Sequence, residues 1–244
     1  FETRYEAREK RSPNPWQLKA VLENSSNYKS IFGETAPYVR GTFEWRQEFY
    51  YQRSRRITAR FFAGAFLENT RRNRSVEANA LALNPQGFND YKFDQVFLAR
   101  NALGGVFSRQ VTQTDGGFKG AFGSSFASVI GNSNNYLLAL NLKADLPQRL
   151  PWGIHLCPYF DLGYFDDATI LGQDRPRSEQ LLWSGGFVLE FFKGGFEFYL
   201  PVVSAPILKD LYAEQRDGNY LRNISWSIRI PIREPGEAWD FFMR

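Results

Sequence analysis

The sequence predicts an all-β fold, an antiparallel up-and-down transmembrane β-barrel of about ten strands. Three observations lead there. Apolar residues recur with period two, the signature of half-buried strands. Short and long links alternate along the chain, as in a meander trimmed at one end and elaborated at the other. The two faces of each strand also differ in kind, one apolar and one charged.

Residues 1–15 (FETRYEAREKRSPNP) carry charge without an apolar period and read as a linker, ahead of a barrel domain over 16–232 and a tail over 233–244. A first strand is expected at 17–24. Over 42–51, Phe43, Trp45, Phe49 and Tyr51 share a face, with Gln47 the exception, against Thr42, Glu44, Arg46, Glu48 and Tyr50. Over 56–68, Ile57, Ala59, Phe61, Ala63, Ala65 and Leu67 alternate with Arg56, Thr58, Arg60, Phe62, Gly64, Phe66 and Glu68. Segments 91–101 and 105–113 are weaker strand candidates, the second polar on both faces. Over 136–146, Leu138, Leu140, Leu142, Ala144 and Leu146 oppose Ala139, Asn141, Lys143 and Asp145. Over 154–164, Ile154, Leu156, Pro158, Phe160, Leu162 and Tyr164 oppose His155, Cys157, Tyr159, Asp161 and Gly163. Strands at 182–192 and 195–203 follow, then a short amphipathic helix at Pro206–Gln215. A last strand at 224–232 sets Ile224, Trp226, Ile228, Ile230 and Ile232 against Ser225, Ser227, Arg229 and Pro231.

The tight links are 53–55, 102–104, 147–151 and 193–194; the long ones are about 25–37, 70–90, 114–134, 166–181 and 204–218. Ten strands is an even number, which puts both termini at the short-link end.

A soluble β-sandwich alternates too. Strand length and aromatic placement favour lipid. The segments run about 10–14 residues, against about 5–6 for a globular strand and about 9–11 for a tilted membrane strand. Aromatics gather near strand ends (Phe49, Tyr50 and Tyr51; Trp152; Tyr164 and Phe165), as in the girdles of membrane barrels. The apolar face is therefore assigned to lipid: Phe43, Trp45, Phe61, Leu138, Leu140, Leu142, Leu156, Phe160, Trp226, Ile228 and Ile230. The charged face is assigned to the lumen: Glu44, Arg46, Arg60, Lys143, His155, Asp161 and Arg229. A barrel this narrow is filled by side chains, here Arg46, Phe62, Phe66, Tyr159, Tyr199 and paired charges.

Composition narrows the chemistry. Among 244 residues there are 23 Phe, 12 Tyr and 6 Trp but one Cys, one His and one Met, so Cys157 has no disulfide partner within the chain and His155 is the one imidazole available for catalysis or metal. No run of about 18 apolar residues offers a spanning helix. The net charge of +4 is scattered, and no nucleic-acid partner is expected.

From Tyr91 onward a resemblance emerges. The segments YKFDQVFLARN (91–101), SRQVTQTDGGFKG (108–120), NNYLLALNLKADLP (134–147), FEFYLPVVSAPILKDLY (196–212) and NYLRNISWSIRI (219–230) resemble, in order and spacing, the C-terminal β-barrel region of Bacteroidota aminopeptidase-N-like (gluzincin) metallopeptidase proteins. The resemblance covers about 140 of the 244 residues, and DGGFK followed by NLKADLP is its most distinctive part. It implies a peptidase domain ahead of the barrel. The zinc-binding HExxH helix of that family is absent here, since His155 is followed by Leu156 and Cys157.

These observations set the functional expectation. The chain is not itself an enzyme and needs no cofactor. It is expected to anchor or scaffold a peptidase-like domain or larger complex in the outer membrane of a Gram-negative bacterium, among lipid, lipopolysaccharide and a protein partner. A small channel is the alternative. His155 is expected to be a lumen histidine bonded to a neighbour such as Asp161. Asp115–Gly116–Gly117 reads as a tight turn with positive φ. Asp166, Asp167 and Asp174 form a weak candidate Ca²⁺ loop, and Arg71, Arg72 and Arg74 a solvated basic loop able to meet phosphates.

Overall fold

A computed structural model describes residues 1–11, 13–30, 33–53, 55–70, 78–102, 104–122, 130–147, 154–166, 180–216 and 219–229. Long alternating segments pair with their neighbours in sequence. Nine strands form one antiparallel sheet in the order β1 (Glu2–Glu9), β2 (Trp16–Ser25), β3 (Tyr38–Gln52), β4 (Arg55–Asn69), β7 (Tyr136–Ala144), β8 (His155–Phe165), β9 (Leu181–Phe191), β10 (Phe196–Ser204) and β11 (Ser225–Ile228). A second, two-stranded ladder joins β5 (Leu81–Ala82) to β6 (Asn132–Ser133). The predicted amphipathic helix is α1 (Pro206–Arg216).

Three sequence expectations need correction. The N-terminal segment is no linker: Glu2–Glu9 pairs along its whole length with Glu23–Trp16. Period two is muted there because one face, Glu2, Arg4, Glu6 and Arg8, is charged and the other, Thr3, Tyr5, Ala7 and Glu9, is mixed rather than apolar. Segments 91–101 and 105–113 are not strands. They belong to an insert between β4 and β7 and lie in turns and a short 3₁₀ segment at Phe107–Arg109. Among the described residues the sheet thus has nine strands, an odd number, so its first and last strands run in the same direction, with its first and last described residues at opposite ends.

The insert covers one face of the sheet, which we call the inner face. Leu81, Leu83, Phe118 and Phe122 are buried against Phe62 and Phe66 of β4, Leu137 and Ala139 of β7, Phe165 of β8 and Leu182 of β9. The insert is stitched by backbone bonds, Leu83 N–H to Gly131 O (2.7 Å), Phe118 N–H to Leu83 O (2.8 Å) and Gly116 N–H to Ala82 O (2.9 Å). The turn expected at 115–117 is present, with φ of 43° at Asp115 and 60° at Gly117. Gly117 is required there, because a Cβ would stand 2.7 Å from the Arg60 guanidinium.

The insert also shows that the sheet is curled. Lys92 reaches Glu2 of β1. Gln110 bridges to Trp226 of β11 and bonds through its side chain to the backbone of Val96 and Leu98. Gln113 lines the same cavity as Glu2 and Arg4 of β1 while bonding Glu197 and Tyr199 of β10. The charge of Arg229, just past β11, acts on Arg46 of β3. In a flat sheet six strand spacings, about 29 Å, would separate β3 from β11. Among the described residues no backbone pairing joins β1 to β11.

Candidate functional site

The inner face carries the charged residues, and strand register arranges them in rows. One row runs Gln17, Arg46, Arg60, Asn141, Asp161 and Ser184 across β2, β3, β4, β7, β8 and β9. Within it Arg60 donates to Asn141 Oδ1 (2.9 Å) and Glu44 Oε2 (2.5 Å), and Arg46 donates to Glu44 Oε1 (2.6 Å). Asp161 is fully buried and accepts three hydrogen bonds: Oδ1 accepts from Lys119 Nζ (2.6 Å) and Asn141 Nδ2 (3.0 Å), and Oδ2 from the Lys119 backbone N–H (2.9 Å). Lys119 comes from the insert two residues after the Asp115–Gly117 turn, so the turn aims the ammonium at the wall.

A second cluster sits on the β7–β11 side. Lys143 bridges Glu190 (2.7 Å) and Glu197 (3.0 Å), and Glu197 also accepts from Arg229 (3.3 Å), Tyr199 OH (2.6 Å) and Gln113 of the insert (2.6 Å). The third cluster is at the opposite wall. Glu23 of β2 accepts from Arg40 (3.0 Å), from Lys92 and from the hydroxyls of Tyr38 and Tyr91. Arg40 also donates to Asn79 O (2.8 Å). Next to this cluster a cavity of about 350 Å³ lies between the β1–β3 wall and the insert. Asp115 lines it, and desolvation pushes its carboxyl above the usual carboxylate range, opposed by the Arg40 and Arg60 charges.

The predicted lumen residues Glu44, Arg46, Arg60, Lys143, Asp161 and Arg229 all fall within these clusters. His155 does not. It is exposed at the start of β8, opposite Glu190 in the register, and Asp161 accepts instead from Lys119 and Asn141. The inner face is also filled differently from expectation: the insert supplies Tyr91, Lys92, Gln113 and Lys119, which leave no period-two signal in the sequence because the insert has no period. The DGG turn was the one signal pointing at Lys119. Cys157 is buried, with Sγ 3.6 Å from Asp145 Oδ1.

The outer face is apolar in register. Leu18, Trp45, Phe61, Leu140, Leu162 and Trp183 form one row across β2 to β9, and Ala20, Phe43, Ala63, Leu138, Tyr164 and Leu181 the next. Phe43, Trp45, Leu138 and Phe160 are exposed, while Phe61, Leu140, Leu142, Leu156 and Ile228 are partly covered by neighbours in the rows. Trp226 is the exception among the predicted lipid-facing residues. It sits in an outer row with Leu156, Leu189 and Phe198, yet only 5% of it is exposed, because the insert wraps the β11 edge and its indole N–H donates to Val106 O (2.9 Å). Ile230, Arg71, Arg72, Arg74, Asp167, Asp174 and the 233–244 tail lie outside the described residues. Asp166 accepts from Asn135, and among the described residues no three His, Cys, Asp or Glu side chains are grouped to hold a metal ion. No described helix is long and apolar enough to cross a membrane, which leaves strands untouched as a spanning device.

The chain matches no protein-family model, no curated protein and no solved structure.

Proposed function

We propose that this chain is a membrane-spanning β-barrel of the outer-membrane type, closed around its own insert, that serves as an anchor or scaffold in the outer membrane of a Gram-negative bacterium. The observation that carries this reading is the pair of outer-face rows, apolar across six strands, in which Phe43, Trp45, Leu138 and Leu181 are exposed. An apolar surface this continuous is the mark of an interaction with lipid or protein. A sheet buried on both faces by protein would need a second layer over these rows. Strand length supports lipid in particular, since β3 and β4 each run 15 residues, more than the span of about 9–11 required.

A structural role fits an inner face whose charges are largely spent on one another and on the insert. On the resemblance of 91–230 to barrel regions that follow gluzincin peptidase domains, the load held by the anchor is a peptidase-like domain or complex. The test is extraction and gel migration. The purified chain is expected to require detergent and to run faster unheated than boiled. A chain that stays soluble without detergent and migrates alike in both states would end the barrel proposal.

A further inference from the structure

A smaller recess of about 60 Å³ lies where the inner-face row meets the Lys143 cluster. Arg46, Arg60, Lys119 and Lys143 all line it, and no carboxylate does. Counting the partners of these cations leaves the charge unbalanced. Lys119 is met by Asp161, while Lys143 and Arg229 are met by Glu190 and Glu197. Arg46 and Arg60 share Glu44 alone. Five cations therefore face four carboxylates, and the surplus sits at Arg46 and Arg60. Asp115 also feels the Arg60 charge, but burial works against its ionisation, it lines the larger cavity, and among the described residues no arginine donates to it. Donors are unmatched as well. Arg46 bonds only through Nε, to Glu44, so its terminal N–H groups have no acceptor among the described residues. Arg60 is 5% exposed, and its Nε likewise has none. Unmet buried donors are costly, and a guanidinium fork suits an anion.

We infer that this recess binds one small monovalent anion, chloride in size and charge, on the terminal N–H groups of Arg46 and the Nε of Arg60. The Lys119 and Lys143 ammonium groups stand beside it, so the ion ties β3, β4 and β7 to the insert. A volume near 60 Å³ equals about two waters at ~30 Å³ each, which admits a halide or nitrate and excludes nucleotides and sugar phosphates. The single surplus charge selects a monovalent ion over a divalent one. Water in the recess satisfies the donors but leaves that charge uncompensated. The Arg46 side chain is partly exposed, which gives the ion a way in from solvent. The inference stands on the inner face alone and holds whether the outer face meets lipid or protein.

The test is the melting temperature of the purified full chain, followed by circular dichroism, as chloride replaces gluconate at constant ionic strength. Expected is a saturable rise on the order of 3 °C, reproduced by nitrate and not by sulfate. Arg46→Gln is expected to raise the half-saturating chloride about tenfold, whereas Lys209→Gln on α1 should leave it unchanged. If Arg46→Gln does not fold, chloride NMR reads the same site on the wild-type chain: line broadening that nitrate reverses is expected, and its absence counts against the site. Equal melting in chloride and gluconate would mean that water alone fills the recess. A larger response to sulfate, or an unchanged half-saturation in Arg46→Gln, would also overturn the inference. None of these outcomes touches the barrel proposal, which extraction and gel migration decide.

Discussion

The two walls that the insert touches are built from the same kinds of residue and differ in what surrounds them. On the β7–β11 side, Lys119 and Asp161 meet with side chains 5% and 0% exposed, and backbone and amide groups complete the carboxylate's coordination. On the β1–β3 side, Lys92 meets Glu2 and Glu23 at the mouth of an open crevice. The same ammonium–carboxylate chemistry is therefore a buried fastener on one wall and, at Lys92–Glu2 with both side chains 30% exposed, a solvent-facing strap on the other, where buried Glu23 keeps Arg40, Tyr38 and Tyr91 as further donors. Burial decides which, since removing one partner of a buried pair strands the other charge without water, while an exposed pair merely exchanges partner for solvent.

Substitutions should separate the two walls. The largest effect is expected from Asp161→Ala, which leaves the Lys119 ammonium buried without its partner. A loss of about 3–5 kcal/mol should appear as a lower temperature of conversion from the folded to the unfolded gel band. Lys119→Met combined with Asp161→Leu should recover much of that loss, and a double variant as unstable as the single would show that the pair is not what matters.

Gly163→Val comes next. A Cβ at Gly163 would stand 2.4 Å from Leu83 Cδ2 and 2.8 Å from Phe118 Cε2, so the insert must shift to admit it. Overpacking of this kind costs about 1–3 kcal/mol, and increased protease cleavage within 78–122 is the local readout. Unchanged cleavage would mean that the insert is not seated on β8.

Asp115→Asn is expected to act in the opposite direction and to depend on pH. The Asp115 carboxyl is raised by desolvation, so the folded chain holds this proton more tightly than the unfolded one. The associated stability is fully present below the unfolded pKa and is lost as pH rises through the raised folded value. At neutral pH the asparagine should therefore be the more stable, with the advantage vanishing in acid, and it retains the positive-φ turn that Asn tolerates. A pH-independent difference would contradict this account.

The smallest change is expected from Lys92→Ala, about 0–1 kcal/mol in thermal conversion. A loss as large as that from Asp161→Ala would erase the distinction between the walls.

Much of the sheet was legible in the residues themselves. Phe43, Phe61, Leu138 and Phe160 alternate with Glu44, Arg60, Ala139 and Asp161, so the existence of these strands and their two faces could be read from period two, whereas the direct pairing of β4 with β7 could not. The helix at Pro206 and the turn at Asp115 were likewise local. The miss at Glu2–Glu9 has a physical cause: an edge strand with one charged and one mixed face is held by backbone bonds to β2, and backbone bonds leave no side-chain pattern. The insert was missed for a related reason. Tyr91, Gln113 and Lys119 are placed by a chain that doubles back over the sheet, and each contacts residues tens of positions away.

Sequence alone determined that the chain makes long antiparallel strands with an apolar and a charged face, because side-chain alternation is a property of consecutive residues. It also determined the limits on chemistry, through one His and one Cys. Only the tertiary structure decided what fills the inner face, that His155 stands apart from Asp161, that Trp226 is covered, and which wall is dry. Those outcomes depend on where a non-periodic insert settles, and that is set by steric fit and charge pairing between segments distant in the chain.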